Sequence, residues 1–128
     1  TGEMCQNRIM FKQFIQQNAL DIVQIDSCRM GGLNEVLGVL LLAYKYNKPV
    51  WPHAGGVGLC EYVQHIAMID YLVISCEKNA KRIEYVDHLH EHFINPCNIK
   101  EGKYLAPLDP GFSIQMKSET LNNFLHLK

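Results

Sequence analysis

The sequence lacks several of the cues that mark a functional class outright. Its five cysteines (Cys5, Cys28, Cys60, Cys76 and Cys97) include no C-x-x-C pair, so neither a zinc ribbon nor a thioredoxin-like motif is written into it. An odd, scattered set of thiols reads as reduced cysteine in a reducing compartment. No apolar run approaches the roughly 20 residues of a membrane-spanning helix, and the first residues lack the basic-then-hydrophobic order of a signal peptide. Charge of one sign is scarce as well. Twelve basic against 13 acidic residues leave a formal net charge of −1, which offers no electrostatic reason to expect a nucleic-acid or membrane partner. What remains is 128 residues, 48% of them hydrophobic, the composition of a soluble protein with a single core. The chain opens at Thr1, in what reads as the middle of an element, so a partial chain is expected.

The organising stretch is Pro49-Val50-Trp51-Pro52-His53-Ala54-Gly55-Gly56-Val57-Gly58-Leu59. Val50 and Trp51 favour a short extended piece, with proline tolerated at its edge, and His53 stands just past its carboxyl end. Three glycines then permit a tight turn into a helix that begins near Leu59. In α/β folds, chemistry gathers at the C-terminal ends of strands. Taken alone, the stretch equally suits a loop histidine satisfied by a backbone carbonyl.

The rest of the chain alternates. Helical spacing of Ile9, Phe11, Phe14 and Ile15 predicts a helix over 7–17, followed by a β-branched run over 21–26 that ends at Asp26. A wide apolar stripe predicts a second helix over 33–43, and a third runs over 59–68 with Val63, Ile66 and Ala67 inward. Two further β-rich runs, 70–75 and 82–87, flank a polar connection over 77–81. From His88 onward the chain turns irregular, with extended pieces at 97–99 and 103–105 and a short helix over 118–124 capped at Ser118. His88, His90 and His92 share one face if extended. Without a thiolate or a suitably spaced fourth ligand, they read as surface or capping histidines.

Strands alternating with helices through short connections argue an α/β fold with a parallel sheet. Polar residues recur at the strand ends: Glu3 to Asp26 is 23 residues, Asp26 to His53 is 27, and His53 to Glu84 is 31. Each step is about one βα unit long. Right-handed crossovers would bring all four to one rim, which in a (β/α)8 barrel is the active-site face. Any one polar strand end can simply terminate its strand. Four in register point to a site.

The segments TGEMCQNR (1–8), QIDSCRMGGLNE (24–35), PHAGGVGLCEYVQH (52–65), IEYVDHLHEHF (83–93) and YLAPLDPGFS (104–113) closely resemble the C-terminal barrel portion of the L-fuconate dehydratase family of the enolase superfamily. The resemblance implies an enolase-type (β/α)7β TIM-like barrel, of which residues 1–93 would be the C-terminal half, with residues 94–128 a hairpin, loop and short helix packed on the barrel or lid. It implies Mg²⁺ as cofactor with Glu3 as a metal ligand, Asp26 and His53 as an acid/base dyad, and Glu84 in contact with the reacting intermediate. The family's lid domain, K-x-K lysine pair and two further carboxylate ligands have no counterpart in these residues.

The implied reaction removes a proton α to a carboxylate and expels the 3-hydroxyl of an acid sugar, leaving a 2-keto-3-deoxy acid. It needs a cation to offset charge on the substrate carboxylate, and a donor active near neutrality to protonate the departing hydroxyl. An imidazole oriented by a neighbouring carboxylate suits the second task. L-Fuconate is the implied substrate. Alternatives are another aldonate dehydratase or epimerase of the superfamily, or a non-catalytic truncated product. The resemblance also implies mitochondrial or cytoplasmic location and a homo-oligomer at full length. A full barrel takes roughly 250 residues, so this chain by itself is expected to be incomplete and inactive.

Overall fold

The computed structural model describes residues 1–77 and 81–125. Its centre is a set of four extended segments laid side by side in chain order. Gln24 N donates to Thr1 O (3.1 Å), Val23 N to Pro49 O (2.9 Å), Trp51 N to Val23 O (3.0 Å), His53 N to Ile25 O (2.9 Å) and Glu84 N to Pro52 O (3.2 Å). The bonds among the first three segments follow the parallel pattern, with a parallel bridge at Val23 and Val50. Residues near 1–3, 23–26 and 50–53 therefore form a parallel array, held by the slanted bonds that parallel pairing requires, and Glu84 joins its far side through one bond.

Three helices connect these segments. Helix α1 (Arg8–Gln16) starts at Asn7, whose side chain accepts from the Ile9 and Met10 amides at 3.0 Å each. It buries Phe11 and Ile15, one turn apart, while Ile9 and Phe14 remain exposed. Helix α2 (Leu33–Lys45) buries Val36, Val39, Leu40 and Ala43, and the Arg8–Glu35 ion pair ties its first turn to that of α1. Helix α3 (Leu59–Ile69) follows Gly58, whose φ of 75° is left-handed and whose missing Cβ leaves room for the Phe93 ring. These elements enclose one core of Phe11, Val23, Ile25, Val36, Leu40, Val50 and Ile66, among others. A second, smaller core joins Ala54, Leu59, Cys60 and Val63 to Cys97, with Ile83, Val86 and Tyr104 packed on it.

Several local expectations are corrected. Residues 70–75 are not a strand: Asp70–Ile74 continue α3 as a π-helical turn. Ser75 N and Oγ both bond to Asp70 O, at 2.8 and 3.1 Å, and the Lys81–Asp70 ion pair secures the turn from outside. The β-branched character of that run yields to the cheaper extension of an existing helix. The run over 82–87 forms no paired ladder among the described residues; its backbone bond to the array is Glu84 N to Pro52 O, and the Glu84 side chain adds to it. The connection expected over 77–81 lies partly outside the described residues. Ser118 is the first residue of helix α4 (Ser118–Phe124), and Lys117 occupies the cap position without a side-chain bond. The hairpin is present as β1 (Ile99–Lys100) and β2 (Lys103–Tyr104), antiparallel, turning through Glu101 and Gly102, both at positive φ.

Candidate active site

Three of the four sequence-predicted site residues meet at the carboxyl end of the array. Asp26 is buried at 5% exposure, and an Asx turn fixes it there: its Oδ1 accepts from Cys28 N at 2.8 Å and Arg29 N at 3.3 Å. Its Oδ2 faces Arg29 Nε at 3.3 Å and His53 Nε2 at 3.8 Å. His53 stands one segment over, with its Nδ1 only 2.6 Å from Glu84 Oε2. The same Glu84 oxygen accepts from Ala54 N at 2.9 Å, and the Tyr104 hydroxyl donates to Glu84 O at 2.6 Å, anchoring the extended run that carries it.

The expected Asp26–His53 contact is thus present as an ion-pair approach longer than a hydrogen bond, and Glu84 is the tighter partner. The imidazole lies between two carboxylates. One is immobilised by backbone amides. The other is held by a single amide and is more accessible, with side-chain exposures of 6% and 37%. An imidazole so placed can accept or donate a proton on one edge while a carboxylate holds the other.

Gly55 completes the setting, and its role escaped the sequence reading, which assigned all three glycines to the turn. A Cβ there would sit 2.6 Å from His53 Cε1 and 2.8 Å from Nε2. The missing side chain is what leaves room for the imidazole beside the Gly55 backbone. Arg29 carries no signal in the sequence, since nothing in its neighbourhood distinguishes it from an ordinary exposed arginine.

Glu3 reaches the same end of the array through its neighbours, since Thr1 O takes the Gln24 amide. Its own carboxylate accepts from Gly2 N at 3.1 Å. Backbone hydrogen bonds, chiefly its own amide and then that of Gly2, hold the Glu3 carboxyl below its ordinary value, and charge on His53 adds to this. A hard anionic oxygen suits magnesium, which binds through one or two carboxylates and keeps much of its water. Glu3 fits as one such ligand. Among the described residues no other carboxylate, imidazole or thiol gathers with it into a three-ligand group.

A second cluster lies behind the rim, built around Cys60 at the start of α3. Cys97 Sγ is 3.7 Å from His90 Nδ1, His90 Nδ1 is 2.6 Å from Glu61 Oε1, and Cys97 N donates to that oxygen at 3.2 Å. Hydrogen bonding with the Cys97 thiol holds the Cys60 thiol below its ordinary value, with Tyr104 and His90 assisting against burial. The same bond pushes Cys97 up. Burial opposes charge on His90, but the bond to Glu61 and the Val86 carbonyl outweigh it, and the imidazole titrates above its ordinary value.

A family model described as enolase C-terminal domain-like matches residues 1–120. L-Galactonate dehydratase of Hypocrea jecorina is 56% identical over 124 residues, covering 97% of this chain and 27% of that protein. Mitochondrial enolase superfamily member 1 of Xenopus laevis is 57% identical over 121 residues, covering 94% of this chain and 27% of that protein. The chain thus spans about a quarter of the length of these curated relatives. The crystal structure of human mitochondrial enolase superfamily member 1 superposes with a TM-score of 0.90 at 55% identity, covering 94% of this chain and 27% of that one. L-Talarate dehydratase from Polaromonas sp. JS666, complexed with Mg and L-glucarate, shares the fold at a TM-score of 0.75 and 24% identity, over 93% of this chain and 30% of that one. With its parallel array, its crossover helices and this match over 120 residues, the chain belongs to the enolase C-terminal domain-like family and carries part of that family's barrel.

Proposed function

We propose that this chain is the part of an acid-sugar dehydratase that carries its proton-donating histidine. The reading rests on His53 held between Asp26 and Glu84 at the end of the parallel array. In the whole protein, a base from the lysine pair that the resemblance implies, outside these residues, takes the C2 proton while His53 delivers its own proton to the departing 3-hydroxyl; water is lost, and the resulting enol takes a proton at C3 to become a 2-keto-3-deoxy acid. Asp26, fixed by the Cys28 and Arg29 amides, orients the imidazole from the rear edge. Glu84 holds the Nδ1 edge and contacts the reacting substrate. Glu3 would be one ligand of a magnesium ion, which when bound offsets negative charge on the substrate carboxylate. The proposed division is a barrel half over 1–93 and, from 94 onward, a hairpin, loop and short helix that pack on the barrel or the lid domain.

The substrate class is an acid sugar of the L-galacto configuration. L-Fuconate, implied by the sequence motifs, is the 6-deoxy form of L-galactonate, the substrate named for the Hypocrea relative. The two share every stereocentre from C2 to C5 and differ only in a methyl or hydroxymethyl end. A mitochondrial location is proposed from the names of the animal relatives, and a homo-oligomer from the family resemblance.

The test is an assay of the whole protein with L-fuconate and L-galactonate side by side. His53→Asn should lower turnover of the preferred substrate by at least about 10²-fold while leaving magnesium affinity nearly unchanged. Parallel loss of metal binding would make His53 a ligand and overturn the assignment. Turnover of neither acid, with a library of other aldonates converted instead, would move the protein to a sister activity.

A further inference from the structure

The cluster behind the rim is not used by the proposed reaction, and its donor set is of a different kind from that of Glu3. Cys60 Sγ, His90 Nδ1 or Nε2 and Cys97 Sγ offer ligand atoms that all lie within 4.8 Å of one another. A tetrahedral zinc ion with Zn–S of about 2.3 Å and Zn–N of about 2.0–2.1 Å requires S-to-N edges of about 3.5 Å. The Cys97 Sγ to His90 Nδ1 separation is 3.7 Å.

Three further observations converge on the same use. His90 Nε2 lies 2.7 Å from Val86 O, which assigns the ring's other nitrogen to the cluster; metal-binding histidines are commonly oriented by such a carbonyl. Glu61 is 1% exposed and its Oε1 sits 2.6 Å from that other nitrogen, a hydrogen-bond distance; a tetrahedral shell sets N-to-O edges at about 3.3 Å, so zinc would displace the shared proton and move this carboxylate off the imidazole for it to serve as a fourth, oxygen donor. Leu89, immediately before His90, has φ of 64°, a left-handed conformation that a leucine adopts only where its surroundings demand it.

We propose that Cys60, His90 and Cys97, with Glu61 completing the shell, form a zinc site that pins the 86–97 loop to the start of α3. Two thiolates and an imidazole favour zinc and discriminate against magnesium, whose ligands are oxygens. The site is structural in placement. Cys60 Sγ also approaches Ala54 O at 3.8 Å and Val86 O at 3.9 Å, and Ala54 N is the donor that holds Glu84. Zinc would thereby stiffen the floor beneath His53 and Glu84 without touching substrate.

The experiment titrates the whole protein, reduced, with zinc chloride, with magnesium chloride in parallel and cobalt(II) chloride as the spectroscopic probe. One zinc per chain should survive gel filtration. Cobalt should give a thiolate-to-metal charge-transfer band and the intense visible bands of a tetrahedral site. Cys60→Ser and Cys97→Ser should each weaken zinc binding at least tenfold and remove the charge-transfer band, and Cys76→Ser should leave both intact. Should a variant unfold by circular dichroism, the unmutated chain decides. Failure of that chain to retain zinc, or a cobalt spectrum without the thiolate band, overturns the proposal. So does a Cys60–Cys97 disulfide that forms in air to the same extent with and without zinc.

Discussion

At the scale of single residues, the site depends on an absence as much as on side chains. His53 can sit between Asp26 and Glu84 only because residue 55 carries no Cβ: the nearest ring atoms would be 2.6 and 2.8 Å from it. Gly55→Ala should therefore displace the imidazole without disturbing the buried cores. Misplacing a reacting group by about 1 Å can cost about 10²-fold in rate, and a turnover loss of that order is expected in the whole protein. Circular dichroism should be unchanged and substrate KM much less affected. If Gly55→Ala retained full turnover, the placement of the ring against the Gly55 backbone would be wrong.

At the scale of elements, α3 is the hub, because it faces the array, the zinc-ligand cluster and the C-terminal tail at once. His65 marks its contact with the tail. Its Nε2 is 3.2 Å from Ser113 Oγ, and its ring stacks on Phe112 at a centroid distance of 5.3 Å. Burial holds the His65 imidazole below its ordinary value of 6.5, against the opposing bond to the Phe112 backbone. The folded chain therefore prefers the neutral ring, while the unfolded chain takes up the proton at higher pH. The contribution of this site to stability is full above the unfolded value and is lost as the pH falls through the lower folded value. Urea midpoints of the whole protein measured between about pH 7.5 and 5.5 should fall more with His65 present than in His65→Phe, which keeps the stacking and cannot titrate. Equal falls in both would remove His65 as the cause.

At the scale of the whole molecule, the described residues show no segment paired beyond residues 1–3 on one border of the array or beyond the run through Glu84 on the other. Such borders present backbone groups that favour pairing with another chain or segment. Large apolar side chains are correspondingly exposed, Leu72, Val73 and Leu108 among them at 67%, 73% and 94%. The rim supplies one carboxylate suited to magnesium and no lysine pair. Residues 1–128 by themselves should show no dehydration of L-fuconate or L-galactonate in excess magnesium, and should self-associate or unfold with poor cooperativity. Turnover by the isolated chain, or a cooperative monomer with tight magnesium binding, would contradict this.

What the sequence by itself determined was the order of elements and the identity of the rim residues. Helices α1 to α3 follow from apolar spacing and from local start signals such as Asn7 and Gly58, which act within a few residues. The steps of 23, 27 and 31 residues between Glu3, Asp26, His53 and Glu84 anticipated the parallel array, because crossover length is itself a local quantity. Only the tertiary structure decided what depends on neighbours distant in the chain. The Tyr-Leu-Val-Ile run became helix because α3 was already there to extend. Glu84, not Asp26, took the short bond to His53, because side-chain reach across adjacent segments has no signature in spacing. And His90, which reads as a surface histidine for want of a thiolate, met two: Cys60 and Cys97 lie 30 and 7 residues away, and folding alone brought their sulfurs to it.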